Sequence, residues 1–232
     1  MQTDGPDPGR ACPSRNPLTA ISLGTSSLLR REDLDERALK TLVRIHSSAE
    51  RVTRMIRDLL DFTKARLGGG IDLLRMPMDL HHLTRLVVDE AQMTFPDREV
   101  RVVSDGNGEG EWDGDRMAQV LTNLITNALK YSPAETPVLV RTFGGPANVQ
   151  LEVHNEGPPI PPAVLAHLFE PMRRGMAPAQ ADRSARSIGP GLFIVDQIVR
   201  AHGGSIHVRS TEADGTLFGI RLPRKPPAAL GP

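Results

Sequence analysis

The sequence predicts an α+β chain in two parts: a helical hairpin that pairs into a dimeric four-helix bundle, followed by an α/β sandwich. Three observations carry this. Leu42, Ile45, Ala49, Val52, Ile56 and Leu59 step by 3, 4, 3, 4 and 3 residues, a heptad seam of the kind that packs in helical bundles. After Gly68-Gly69-Gly70 the pattern changes, and from Ile71 onward short strand candidates alternate with helices. Within that second part, Asp115 to Ser132 reads as one amphipathic helix whose second face is polar in an unusual way.

Residues 1–15 carry three prolines and two glycines without periodicity and read as a disordered segment. Asn16-Pro17 then makes a helix start, Asn as N-cap and Pro at the first helical position. The hairpin is expected over 16–67, its first helix ending near Arg31 and its second, much longer, near Leu67. Residues 68–79 read as a linker, 80–223 as the sandwich and 224–232 as a frayed tail. Inside the sandwich the pattern gives a helix from Leu80 to about Phe95, then strands at Glu99–Val103 and Glu111–Asp113. Beyond the central helix it gives strands at Pro137–Phe143 and Val149–His154, and a short helix at Pro162–Leu168. A helix at Gly191–Ala201 and strands at Ser205–Ser210 and Thr216–Leu222 complete it. Residues 172–188 are polar and aperiodic, a long loop of the functional sort.

Composition narrows the function classes. Lys plus Arg and Asp plus Glu are 28 each, so net charge points neither to nucleic acid nor to an anionic membrane. The single cysteine, Cys12, excludes an internal disulfide and fits a reducing compartment. No apolar run approaches the ~18 residues of a membrane span, and no signal-peptide core is present. A soluble, cytoplasmic chain is expected.

In the central helix Met117, Val120, Leu121, Leu124, Ile125 and Ala128 form the core-facing stripe. At about 100° per residue, Gln119, Asn123, Asn127 and Lys130 fall within an arc of roughly 80° elsewhere, flanked by Tyr131, the only tyrosine. Asparagine is a poor helix former, so two of them four apart in a helix interior call for a reason. Either this is a solvated face, or the stacked amides hold a hydrated metal ion and phosphates.

Six segments, that helix among them, line up with one family. Asp115–Ser132 resembles the N box of sensor histidine kinases, whose ATP-binding fold is shared with gyrase, the 90-kDa chaperones and MutL. His154-Asn155-Glu156-Gly157-Pro158-Pro159-Ile160 resembles the first glycine box. Leu168-Phe169-Glu170-Pro171 with Arg173-Arg174 resembles the F box. Ile188-Gly189-Pro190-Gly191-Leu192 resembles the second glycine box, and Gly215-Thr216-Leu217-Phe218 the last strand's motif. Asn16-Pro17-Leu18-Thr19-Ala20-Ile21 resembles the C-terminal part of the H box on the dimerisation helix.

The resemblance implies ATP and Mg²⁺ as cofactors. It makes Asn127 the Mg²⁺ ligand, with Asn123 one turn earlier supporting the hydrated ion. Lys130 would neutralise phosphate charge and Tyr131 lie against adenine. Gly189 and Gly191 would let the backbone approach the triphosphate at the start of a helix, before Leu192. The loop from Met172 to Ile188 would be the ATP lid, with Arg173 or Arg174 reaching the phosphates; Gly157 and Thr216 complete the set. The implied activity is phosphoryl transfer to a protein histidine and on to the aspartate of a response-regulator receiver domain. Implied partners are that domain and a second hairpin, from a copy of this chain or another histidine kinase.

The departures from the family are specific. Asn155 stands where the family has the aspartate that accepts a hydrogen bond from the adenine amino group. Pro159 replaces a glycine, and Ser187 and Pro190 depart from the usual glycine pattern. Counting back from Arg15-Asn16-Pro17 places Cys12 at the phosphoacceptor position, and no histidine lies in residues 1–45. Pro13 argues against a helix running through Cys12, so the hairpin reads as truncated at its N-terminal end. His46 in the second helix matches no motif. Two rival readings follow: an ATP-binding pseudokinase or regulatory module without its own acceptor, or a kinase whose first residues are an incorrect N-terminus.

Overall fold

The computed structural model describes residues 17–31, 33–170 and 191–225. The chain divides into two compact units, and the boundary falls inside a helix, between Leu59 and Leu60.

The first unit is the hairpin. Helix α1 spans Pro17–Leu29 and α2 spans Glu36–Arg66. Asp35 starts α2 as its cap: its carboxylate accepts from the Ala38 amide at 2.6 Å, satisfying one of the orphan N–H groups of the first turn. Between the helices Thr25 is buried, and its Oγ1 lies 2.9 Å from Nδ1 of His46. The other ring nitrogen of His46 lies 3.3 Å from a Glu50 carboxylate oxygen. Of the heptad seam only Ala49 is buried; Ile45, Val52, Ile56 and Leu59 remain 42–60% exposed.

The second unit begins with the last turns of α2 and holds the sandwich. The strands are β1 (Met76–Asp79), β2 (Val100–Gly106), β3 (Glu109–Trp112), β4 (Val138–Gly144), β5 (Asn148–Asn155), β6 (Ser205–Thr211) and β7 (Gly215–Pro223). Five of them form one sheet in the order β2-β4-β5-β7-β6, with β2 and β4 parallel and the other neighbours antiparallel. Strand alternation sorts the faces. Val138, Val140 and Thr142 of β4, Val149, Leu151, Val153 and Asn155 of β5, and Phe218, Ile220 and Leu222 of β7 are all buried. Against them pack α3 (Leu80–Thr94), α4 (Gly114–Tyr131) and α6 (Gly191–Ala201); α5 (Pro162–Leu165) is a single turn. The stripe read from the sequence is the buried face of α4, Met117 through Ala128, with Leu129 added.

Three local readings change. Met76–Asp79, placed in the linker, is strand β1, paired antiparallel with β3; four residues are too short to register as a period. The helix expected over Pro162–Leu168 stops at Leu165. Arg224, assigned to the tail, is anchored: its guanidinium donates to the carbonyls of Gly145, Asn107 and Glu109. That junction also holds Trp112, fully buried, whose indole N–H donates to the Pro223 carbonyl at 2.9 Å.

The N-terminus of α4 is fixed from three directions. Asp113 caps it, accepting from the Arg116 amide at 3.1 Å, and its second oxygen accepts from the Leu74 amide at 2.8 Å. His202, fully buried after α6, has its Nε2 accept from the Asp113 amide at 3.0 Å, with Nδ1 2.8 Å from the Ile198 carbonyl. This arrangement needs the neutral ring with its proton on Nδ1. Burial pushes the His202 pKa below its ordinary value of 6.5, and the nearby Arg75 adds to the effect. The folded form thus resists a proton that the unfolded chain accepts. The stabilisation is complete above the unfolded value and is lost as pH falls from about 6.5 through the lowered folded value, with a slope of up to about 1.4 kcal/mol per pH unit. Denaturant unfolding at stepped pH should show this decline, and His202→Gln should flatten it while lowering stability at neutral pH.

Candidate functional site

The site is built where α4 shows its second face. Asn123 and Asn127 are half-buried there, and neither side-chain amide makes a hydrogen bond among the described residues. A helix that used these amides for structure would have paired them. Open amide oxygens suit a hard, oxygen-seeking cation and its water shell. At the N-terminal end of this seam Arg116 and Gln119 turn to Asp61, on the last turns of α2. The Asp61 carboxylate, 5% exposed, accepts two bonds from the Arg116 guanidinium at 2.5 and 3.0 Å. Gln119 accepts from the same guanidinium at 3.0 Å. Phe62, next to Asp61, meets Phe193 of α6 edge to face at a centroid distance of 5.4 Å.

Two glycines show how closely other segments approach the seam. A Cβ on Gly191, the first residue of α6, would lie 3.1 Å from the Asn123 amide oxygen. The α6 start, whose first N–H groups have no partner within the helix, therefore stands beside the asparagine seam, an arrangement that favours anions. Leu192 behind it is buried. At the other end, Gly157 has a φ of +150°, and a Cβ there would fall 2.5 Å from the Tyr131 carbonyl oxygen. The loop after β5 thus presses directly on the last residue of α4.

Lys130 and Tyr131 sit together at that end. The ammonium lies 4.8 Å from the Tyr131 ring centroid and 3.2 Å from its hydroxyl. Asn155, at the end of β5, is 4% exposed, and its amide N–H donates to the Glu156 carbonyl at 3.0 Å. That bond fixes the amide's orientation and leaves Oδ1 as the acceptor it can offer. Opposite Asn155 in the ladder is Thr216, also buried, whose hydroxyl is 2.7 Å from Ser210 Oγ. Ser210 in turn accepts from the Ile160 amide at 2.9 Å, tying the first glycine loop to β6.

The structure therefore brings Asn123, Asn127, Lys130, Tyr131, Asn155, Gly157, Gly191, Leu192 and Thr216 to one side of α4 and the adjoining sheet ends. Cys12, Arg173, Arg174 and Gly189 lie outside the described residues, as do Ser187, Pro190 and the loop from Met172 to Ile188. Sequence reasoning missed the supports. Asp61, His202, Arg98 and Asp113 carry no motif, and only their long-range partners, 55 to 89 residues away for the first two, give them meaning.

A layer of helices over a five-stranded mixed sheet, with an asparagine-bearing helix facing two glycine turns, defines an ATP-binding domain of the gyrase and histidine-kinase class. Comparison with known proteins agrees. Residues 112–226 match the family "Histidine kinase-, DNA gyrase B-, and HSP90-like ATPase", and residues 14–68 match the "His Kinase A (phospho-acceptor) domain". The chain belongs to the two-component histidine kinases, of which it carries the catalytic core. It is 37% identical over 216 residues to the "Probable sensor histidine kinase TcrY" of Mycobacterium tuberculosis, covering 90% of this chain and 43% of that one. The bacteriophytochrome of Pseudomonas aeruginosa is 33% identical over 209 residues, covering 90% of this chain and 28% of its own. Among solved structures, full-length ShkA in complex with AMPPNP superposes with a TM-score of 0.64 at 25% identity, over 93% of this chain and 44% of ShkA. The chain thus spans less than half the length of these relatives.

The glycine contacts give a direct test of the site's construction. Gly157→Ala should lower stability by about 1–3 kcal/mol, because its methyl meets a backbone oxygen in a conformation L-residues rarely adopt. Gly114→Ala, whose methyl would meet only Met78 Sδ at 3.9 Å, should be neutral or slightly stabilising. Paired denaturant titrations measure both.

Proposed function

We propose that this chain is the catalytic core of a sensor histidine kinase that binds Mg·ATP along the α4 seam and directs its γ-phosphoryl group to a protein histidine. The observation that carries this is the pair of half-buried, internally unpaired amides of Asn123 and Asn127, flanked by Gly191 and the Tyr131–Gly157 contact. Asn127 would ligate the cation, and Asn123 would hold its water shell. Mg²⁺ held by these amides would supply the positive charge that offsets the phosphates. The chain's own groups do the rest. The α6 N-terminus offers backbone N–H groups to the phosphates, Lys130 contributes positive charge, and Tyr131 lines the adenine. Asn155 Oδ1 accepts from the adenine amino group. Arg173 or Arg174 would reach the phosphates, and Gly189 and Thr216 belong to the same pocket.

In the transfer, a lone pair on an imidazole nitrogen bonds to the γ-phosphorus as the bond to the β–γ bridging oxygen breaks, and ADP leaves. A receiver-domain aspartate then takes the phosphoryl group from the histidine. The exposed seam of α2 supports pairing with a second hairpin, of this chain or of another histidine kinase. Cys12 occupies the acceptor position, and the phospho-acceptor domain match begins only at residue 14. The acceptor histidine would then come from a partner chain. No helix among the described residues is long and apolar enough to cross a membrane; a cytoplasmic site of action is part of the proposal.

Calorimetry with a non-hydrolysable ATP analogue should show Mg-dependent binding, and Asn127→Ala should remove most of that dependence, a loss of at least about tenfold in the Mg-dependent part. Unchanged Mg dependence in the variant would refute the seam as the cation site. With γ-labelled ATP the chain alone should gain no acid-labile, base-stable label. A thiol near its free pKa of ~8.5 is mostly protonated at pH 7, and both His46 ring nitrogens already have neighbours in the hairpin. Phosphohistidine on the unmodified chain would overturn the assignment of the acceptor to a partner.

A further inference from the structure

The C-terminal turn of α4 is held by a residue that no motif marks. Arg98 follows the turn after α3, and its backbone is immobilised there. Its amide donates to the Phe95 carbonyl at 3.1 Å. The Gln92 side chain donates to the Arg98 carbonyl and accepts from the Val100 amide at 3.3 Å. From this fixed base the guanidinium reaches across to α4. One terminal nitrogen donates to the Leu129 carbonyl at 2.6 Å. The other donates to Ser132 Oγ at 2.6 Å and to the Pro133 carbonyl at 3.1 Å.

These acceptors are the ones a helix end leaves unsatisfied. The last four carbonyls of α4 have no partner within the helix. Ser132 supplies its amide and hydroxyl to Ala128, at 3.1 and 2.7 Å, and Arg98 supplies the bond to Leu129. A cation at this position also complements the negative end of the helix dipole. The planar fork is what allows one side chain to hold three acceptors on both sides of the helix terminus; a lysine ammonium cannot span them in the same way. The arrangement even tolerates a buried Arg98 Nε without a partner among the described residues, although leaving such a donor unpaired is costly.

What Arg98 fixes is the spacing between the last turn of α4 and the first glycine loop. Leu129 precedes Lys130 and Tyr131, and the Tyr131 carbonyl is the atom against which Gly157 closes with no room for a Cβ. Beyond Gly157 comes the buried Asn155. Movement of the α4 terminus by an ångström would open or close the space between Tyr131 and Asn155 while leaving Asn123 and Asn127, one to two turns away, in place. We propose that Arg98 is a positioning residue for the base end of the nucleotide pocket, acting through Leu129, Ser132 and Pro133. This rests on the reading of the α4 seam as a Mg·ATP site.

The experiment measures AMPPNP affinity with and without Mg²⁺ for the wild-type chain, Arg98→Ala and Arg98→Lys, with circular dichroism to verify folding. For Arg98→Ala the affinity should fall about tenfold in both conditions, leaving the ratio of the two within twofold of wild type. Arg98→Lys should lose less. A merely structural role that shifts the whole helix would lower the Mg ratio together with the affinity, and that result would overturn the assignment. So would affinities within twofold of wild type in a folded Arg98→Ala. Should Arg98→Ala fail to fold, the same criteria apply to Arg98→Lys. Absence of AMPPNP binding by the wild-type chain would overturn the nucleotide reading itself, and Arg98's role with it.

Discussion

Everything in the second unit depends on one constraint: α4 must bury one face completely while keeping two amides on another face free of internal partners. Its apolar side is sealed against the sheet, with Met117, Val120, Leu121, Leu124, Ile125, Ala128 and Leu129 each 4% exposed or less. A helix so anchored cannot rotate to pair Asn123 or Asn127 without exposing that side. The cost would be large, since each fully buried aliphatic side chain contributes roughly 1.5–3 kcal/mol. The core therefore supplies the rigidity that an open polar seam lacks.

Rotation is only one freedom; sliding and tilting must also be suppressed, and polar groups at both ends do that. At the start of α4, Asp113 joins the helix to the segment before β1 and to His202 beyond α6. Asp61 adds a bidentate hold on Arg116 at a site where both partners are largely withdrawn from water. Such a pair adds little net stability against an apolar replacement, but removing one partner alone costs about 3–5 kcal/mol, because the other stays buried and charged. Its contribution is therefore to geometry. At the far end Arg98 holds the last turn, through Leu129, Ser132 and Pro133. The functional helix is gripped at its termini by side chains from α2, from the turn after α3 and from the end of α6.

This division explains what was legible in the sequence. The α4 stripe, the heptad seam and most strands show themselves through local periodicity, since burial of one face imposes a period of 3.6 or 2. The asparagines of the site were legible for a different reason: they violate local preference, and a polar seam in a helix interior needs an external cause; the glycines were legible only through the family resemblance. The supports had neither signature. Arg98 in a loop and Asp61 on a charged helix look like ordinary surface residues until the fold brings partners from 31 and 55 positions away. Strand β1 was hidden because four residues cannot establish a period. Arg224 was hidden because a basic residue before a proline-rich end reads as tail.

Two of the departures that the family resemblance implies, Asn155 and Cys12, differ in physical weight. Asn155 replaces a carboxylate with an amide of almost the same shape. Of the two Asn155 amide atoms only the nitrogen can donate to the Glu156 carbonyl, so it is turned there, and Oδ1 is left as an acceptor like the oxygen it replaces. Under the proposed reading recognition of an amino group survives, and what is lost is the charge assistance that roughly doubles such a bond. Cys12 is another matter. Under the proposed reading Cys12 stands at the acceptor position, where a thiol in place of imidazole changes the class of nucleophile, and no arrangement of the nucleotide pocket compensates for that. Because phosphoryl transfer is mostly positioning and electrostatics around the nucleotide, a chain can keep that half while the nucleophile resides elsewhere. The structure of the second unit, with its seam gripped at both ends, is consistent with a nucleotide site maintained independently of the acceptor.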